Sequence, residues 1–244
     1  WCEHWRAQGV AALALPVLDI VPVTGEVEHQ KIKAQILALD EHPILIFVSQ
    51  NAVSHGWDWI DAYWPQFPVG VHCLAVGMKT QQALAERLAA HGHPMTQQID
   101  AHSSMDSESL LDLPELQHVA GKKILIFRGC GGRTKLQDVL QARGAQAQHC
   151  ELYQRCLPPQ TAQQLADAQL NPEHDIVALF SGESLENFCQ VVATPALPNW
   201  RQLKVVVPSQ RVQQQAISLG FAHVHAAENA TENAMAEAVA AWLK

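Results

Sequence analysis

Short, unbroken apolar runs recur along this chain, each followed by a small or polar residue and then a helical pattern. They are Ile44–Val48, His72–Val76, Ile124–Phe127, Asp175–Phe180 and Leu203–Val207. A strand with one wet face alternates polar and apolar residues, whereas a strand that is apolar throughout is covered on both sides. Strands of this kind alternating with helices predict an α/β chain built on parallel sheets. Ligands of such sheets sit beyond the carboxyl ends of the strands, so the residues just after each run are the first candidates for function.

The runs also repeat in order. HPILIFVSQNAV (42–53) matches HDIVALFSGESL (174–185), and HCLAVGMKTQQALAERLAAHG (72–92) matches LKVVVPSQRVQQQAISLG (203–220). RAQGVAALALPVLDI (6–20) matches QARGAQAQHCELYQR (141–155) as helix stop, strand and connector. Two domains of one design follow. The first comprises residues 1–17 plus 157–244 and the second residues 22–150. The extended stretches 18–23 and 151–157 serve as connectors lying side by side as a two-stranded hinge, with a ligand cleft expected between the domains. Val10 to Leu15 is expected to be a short strand. The counterpart of Lys122–Arg133 is missing before Trp1, and the repeat predicts that the natural protein starts roughly 15 residues earlier with such a strand.

Composition narrows the class. The formal net charge is −8, which argues against a nucleic-acid surface but leaves a small polyanion possible, because binding follows the local field. No apolar run approaches the roughly 18 residues that span a bilayer. The six cysteines are scattered with no C-x-x-C pair, which reads as buried free thiols in a reducing cytoplasm. The aromatic stretch Ala52–Phe67 reads as packing surface.

Residues 121–157 hold the fullest copy of the unit: a strand, then Arg128, Gly129, Gly131 and Gly132, then a helix from Thr134 to Arg143, then an extended run through Tyr153. A loop opening a helix beside Arg128 and Arg133 suits an anion, because unpaired amides and the helix dipole both face it. The residues past the strands are Ser49, Gln50 and Asn51, Gly77, Arg128 and Gly129, Ser181 and Gly182, and Ser209, with Thr231 at a helix start. Each alone reads first as an N-cap; together they form a ring of helix N-termini suited to carboxylate or phosphate. Tyr153, one of two tyrosines, is either a packing residue or a phenol placed to donate a proton. Neither a dinucleotide fingerprint nor a GxxxxGK[ST] loop is present. The H-x-H pairs His91/His93 and His223/His225 lack a third ligand at useful spacing, so no metal site is assigned. Nothing has the context of a nucleophile elbow.

Taken together, LPVLDIVPV (15–23), ILIFVSQNAV (44–53), LAVGMKTQQAL (74–84), SESLLDLPEL (107–116), residues 121–155, DIVALFSGESLENF (175–188) and VVVPSQRVQQQAISLGF (205–221) resemble the uroporphyrinogen-III synthases across almost the whole chain. The family's opening strand and its Arg-Pro loop have no counterpart here. The resemblance implies two similar flavodoxin-like domains joined by a two-stranded β-ladder. It also implies cofactor-free conversion of hydroxymethylbilane, a linear tetrapyrrole with eight carboxylates, to uroporphyrinogen III with loss of water and inversion of ring D. By the same resemblance Tyr153 assists loss of the hydroxyl group, while Ser49, Gly77, Ser103, Ser181, Ser209 and Thr231 hold carboxylates. A cytoplasmic monomer is expected, in transient contact with hydroxymethylbilane synthase. The alternatives are a non-catalytic two-domain protein that closes on a small anion, and a degenerate synthase-like partner domain.

Overall fold

The computed structural model describes residues 1–93, 107–193 and 197–243. In chain order its helices and strands are α1 (Cys2–Ala7), β1 (Asp19–Pro22), α2 (Glu26–Leu37), β2 (Ile44–Phe47), α3 (Gln50–Tyr63), β3 (His72–Ala75), α4 (Met78–Ala90), α5 (Ser107–Leu111), α6 (Pro114–Gln117), β4 (Lys123–Gly129), α7 (Lys135–Ala142) and β5 (Gln146–Cys156). There follow α8 (Thr161–Ala168), β6 (Ile176–Ala178), α9 (Gly182–Val192), β7 (Lys204–Val207), α10 (Gln210–Ser218), β8 (His223–Ala226) and α11 (Glu232–Ala240). The chain divides into two compact units, residues 1–19 with 156–244, and residues 20–155.

In the unit of residues 20–155 the strand order is β1-β5-β4-β2-β3. β2 pairs in parallel with β3 on one side and β4 on the other, Phe47 opposite Ala75 and Phe127, and β5 joins β4 in parallel. The unbroken apolar runs sort by parity. Leu45, Phe47, Leu125 and Phe127 face a core completed by Ile32 and Ile36 of α2 and Trp57 and Ile60 of α3. Ile44, Ile46, Ile124 and Ile126 face the opposite core, with Leu136 and Leu140 of α7. Each fully buried side chain of this size contributes about 1.5–3 kcal/mol, so covering both faces dominates the stability of this sheet. Trp57 belongs to this core, fully buried and stacked on Phe67 at 5.6 Å.

β5 carries one irregularity. Arg128 stands opposite Glu151 but Gly129 stands opposite Tyr153, so Leu152 is an extra residue in the strand. Such a bulge reverses the side-chain alternation beyond it. Leu152 and Tyr153 are therefore both buried in the same core, where a regular strand would send them to opposite faces.

The other unit has a three-stranded parallel sheet, β6-β7-β8. Val205 and Val207 face one core and Val206 the other, repeating the two-sided burial. Val10 to Leu15, expected as a strand, carries no strand pairing. An extended segment becomes a strand only through a neighbour's hydrogen bonds. Here the segment and β6 both line a cavity of about 570 Å³, together with Trp1 and Trp5.

Two further expectations change. Arg128 and Gly129 are the last two residues of β4, not the start of a loop. Of the six free cysteines only Cys73 and Cys150 are buried, where loss of solvation pushes their thiols up to about 12, whereas Cys130 is exposed. No helix among the described residues is long and apolar enough to cross a membrane.

Candidate active site

β2 and β4 run side by side in register, Phe47 opposite Phe127, which brings Ser49 and Gly129 to the same end of the sheet. Phe47 and Phe127 stack at that end, ring centroids 4.5 Å apart. α3 crosses above them on Gly56, where a Cβ would come within 3.1 Å of Phe127. Ser49 is the N-cap of α3; its Oγ accepts the Ala52 N–H at 3.0 Å. Gln50 and Asn51 form the first turn, whose amides have no intrahelical acceptor.

Tyr153 arrives from β5 through the bulge. Its side chain is 2 % exposed, and its hydroxyl lies 2.8 Å from Ser49 Oγ. The His55 ring stacks over it with centroids 5.3 Å apart. The ring also packs against Gly129, where a Cβ would stand 2.5 Å from Tyr153 Cε2. Glycine is needed there for the space its missing side chain leaves. Tyr153 O also accepts the Cys130 N–H at 2.7 Å, tying the strand to the glycine loop.

The loop is held from beneath. Arg128 donates through Nε to Gly129 O at 3.0 Å and through Nη1 to Arg133 O at 2.9 Å, with His149 Nε2 at 3.2 Å from the same nitrogen. As a guanidinium can only donate, His149 Nε2 must be the acceptor and the ring neutral. Burial, and next the Arg128 charge, push the His149 pKa below its ordinary value. Gly131 N–H donates to Glu151 Oε1 at 3.2 Å, so a carboxylate of the chain itself already occupies one amide of the expected anion loop. Arg128 is a buried clamp of that loop, where the sequence suggested a loop cation.

These residues line a concavity of about 380 Å³. Ser49, Arg128, Gly129 and Tyr153 all border it, as do Arg133, Lys135 and Arg155. Lys135 is paired with Glu108. Among the described residues, the cationic side chains of Arg128, Arg133, Lys135 and Arg155 outnumber the carboxylates of Glu108 on the wall and Glu151 beside the loop, a positive balance despite the acidic chain. Arg155, Lys135 and His149 were not singled out from sequence. Arg155 had a signal, since it stands two residues from Tyr153 on an extended run and shares its side. Gly77 begins α4 at φ +83°, directly after Val76 on the wall of the concavity.

The remaining candidates belong to the smaller sheet. Ser181, Ser209 and Thr231 are the N-caps of α9, α10 and α11, their hydroxyls accepting Ser184 N–H at 2.9 Å, Val212 N–H at 3.4 Å and Ala234 N–H at 3.4 Å. Gly182 opens α9 against Gln215, whose Oε1 would lie 2.8 Å from a Cβ. Ser103 lies outside the described residues. His91 is bound to Asp61 at 3.1 Å and His93 Nε2 lies 3.2 Å from Phe67 O. Among the described residues no group of three or more His, Cys, Asp or Glu could hold a metal ion.

The model of the family described as uroporphyrinogen-III synthase HemD matches residues 1–237. Uroporphyrinogen-III synthase of Escherichia coli is 31% identical over 242 residues, covering 96% of this chain and 92% of that protein. The Salmonella typhimurium enzyme of the same name is 30% identical over 235 residues, with the same coverage of 96% and 92%. Among solved structures, uroporphyrinogen-III synthetase from Helicobacter pylori superposes with a TM-score of 0.61 at 15% identity, covering 96% of this chain and 93% of that one. A mutant uroporphyrinogen III synthase from Thermus thermophilus gives 0.57 at 17% identity, covering 99% and 92%. These two likenesses extend to the two-sheet α/β fold.

Proposed function

The chain belongs to the uroporphyrinogen-III synthase family, and from that premise we propose how its residues carry the family's reaction. The substrate is hydroxymethylbilane, and the product is uroporphyrinogen III with ring D inverted. Tyr153 donates its phenolic proton to the departing hydroxyl oxygen. The carbon–oxygen bond breaks with its electron pair going to that oxygen, and water leaves. The resulting azafulvene cation is attacked by ring D at the α-carbon that already carries its bridge, giving a spiro intermediate. That bridge bond then breaks and re-forms at ring D's free α-carbon, which inverts the ring, and the proton lost from that carbon restores the phenol. Holding the flexible chain so that ring D attacks through its substituted carbon is a matter of orientation.

The observation that carries this reading is a phenol fixed by Ser49 on the wall of a concavity with a positive balance of side chains. The substrate's carboxylates fit Arg133, Arg155 and the first-turn amides after Ser49 and Gly77. Ser181, Gly182, Ser209 and Thr231, through the amides of α9, α10 and α11, and Ser103 are proposed as further carboxylate holders. One chain suffices for this chemistry, since the concavity is built within residues 20–155. A cytoplasmic monomer that meets hydroxymethylbilane synthase transiently belongs to the same proposal.

The test feeds freshly made hydroxymethylbilane and separates the type I and type III isomers. Loss of a general acid costs about 10²-fold or more. Tyr153→Phe is therefore expected to lower type III turnover by about that factor with KM little changed, spontaneous type I taking its place. Undiminished type III formation by the variant refutes the role of Tyr153. A binding protein without catalysis would yield no type III isomer even with its tyrosine intact.

A further inference from the structure

Ser49 sits where two hydrogen bonds meet. Its Oγ accepts the Ala52 N–H of α3 at 3.0 Å and lies 2.8 Å from Tyr153 Oη. A hydroxyl has one proton to give, so in this pair either serine or tyrosine donates. The direction decides what the tyrosine can do. If the phenol donates to Ser49, its proton is spent inside the protein. If Ser49 donates, the phenol proton remains for a ligand in the concavity that both residues line.

The helix biases the choice. Ala52 N–H donates into Ser49 Oγ, and a hydroxyl that accepts one hydrogen bond becomes a better donor for the next. The positive end of α3, a helix of 14 residues, lies at Ser49, its N-cap. Both effects favour electron density on Tyr153 Oη and oppose placing its proton towards the helix. The ring has little room to swing to another partner, since it packs closely against Gly129 and stacks on His55, and Tyr153 is 2 % exposed.

We propose that Ser49 is a positioning residue that donates its hydroxyl proton to Tyr153 Oη, leaving the phenol proton for the substrate's departing hydroxyl and steadying the phenolate left behind. The inference rests on Tyr153 being the acid. It gives Ser49 a task that capping α3 or holding a carboxylate would not, because Ser49 acts only through the tyrosine.

A double-mutant cycle separates these roles. Ser49→Ala removes the hydroxyl. Ser49→Gly also removes it but keeps a residue favoured at N-caps, which guards against loss of α3. A hydrogen bond to a charged group corresponds to about tenfold or more in rate. With Tyr153 present, each variant is expected to lower kcat for the type III isomer about tenfold at unchanged KM, and Ser49→Thr to restore it. In the Tyr153→Phe background the same substitutions are expected to cost nothing further. Equal losses in both backgrounds, a loss confined to KM, or no loss with Tyr153 present each overturn the proposal for Ser49. A Tyr153→Phe variant that turns over like the natural protein instead overturns the reading of Tyr153, and the two failures are thereby distinct.

Discussion

At the scale of single residues the site depends on what is absent as well as on what is present. Gly129 leaves the space that the Tyr153 ring fills, and the ring is buried and rigid. Gly129→Ala would therefore force the ring or the backbone to move, an overpacking change costing about 1–3 kcal/mol. The expected outcome is a lower unfolding midpoint together with loss of type III turnover, as the phenol leaves Ser49. Retained turnover with retained stability would show that the ring has room. Of the residues in this arrangement, Ser49, Gly129 and Tyr153 could each be singled out in the sequence by position after a strand or on an extended run. That they touch could not. The Ser49–Tyr153 hydrogen bond joins residues 104 positions apart, and it depends on an extra residue at Leu152 for which the alternation of β5 gives no warning.

Between elements, the joint of β4 and β5 is a hydrogen bond that depends on protonation. Arg128 on β4 donates to His149 on β5, which must be neutral to accept. Glu151 and Asp138 favour the charged ring, while burial, Arg128 and Lys31 oppose it more strongly, so the pKa in the fold lies below the 6.5 of a free side chain. The unfolded chain thus binds this proton more readily. The stabilisation is complete above pH 6.5 and is lost as pH falls from there through the depressed pKa of the fold. Unfolding midpoints measured from pH 7.5 to 5.5 are expected to fall more steeply for the natural protein than for His149→Gln; parallel curves would remove His149 as the cause. Strands were legible from sequence where both faces are covered, as at Ile44–Phe47 and Val205–Val207. Val10–Leu15 has the same composition without the pairing, because apolar content predicts burial and not a partner.

Over the whole molecule the two units differ in how their sheets are completed. β2 is paired on both sides and fully buried, whereas β6 ends its sheet, is only half-buried and borders the cavity of about 570 Å³. Amides of Ile176–Ala178 are expected to exchange with solvent faster than those of Ile44–Phe47, as local opening costs least where few neighbours must separate. Equal protection by hydrogen-exchange mass spectrometry would contradict this.

The solvent-open hollow beside β6 also bears on how this protein comes apart on heating. Residues that face a hollow lack the contacts a filled core makes, so the unit of residues 1–19 and 156–244 is expected to melt ahead of the unit of residues 20–155. A single midpoint then averages two events and belongs to neither. Damage at Gly129 or His149 is visible only in the later transition, and an assay that follows the earlier one would report a silent substitution while Tyr153 had already lost its footing.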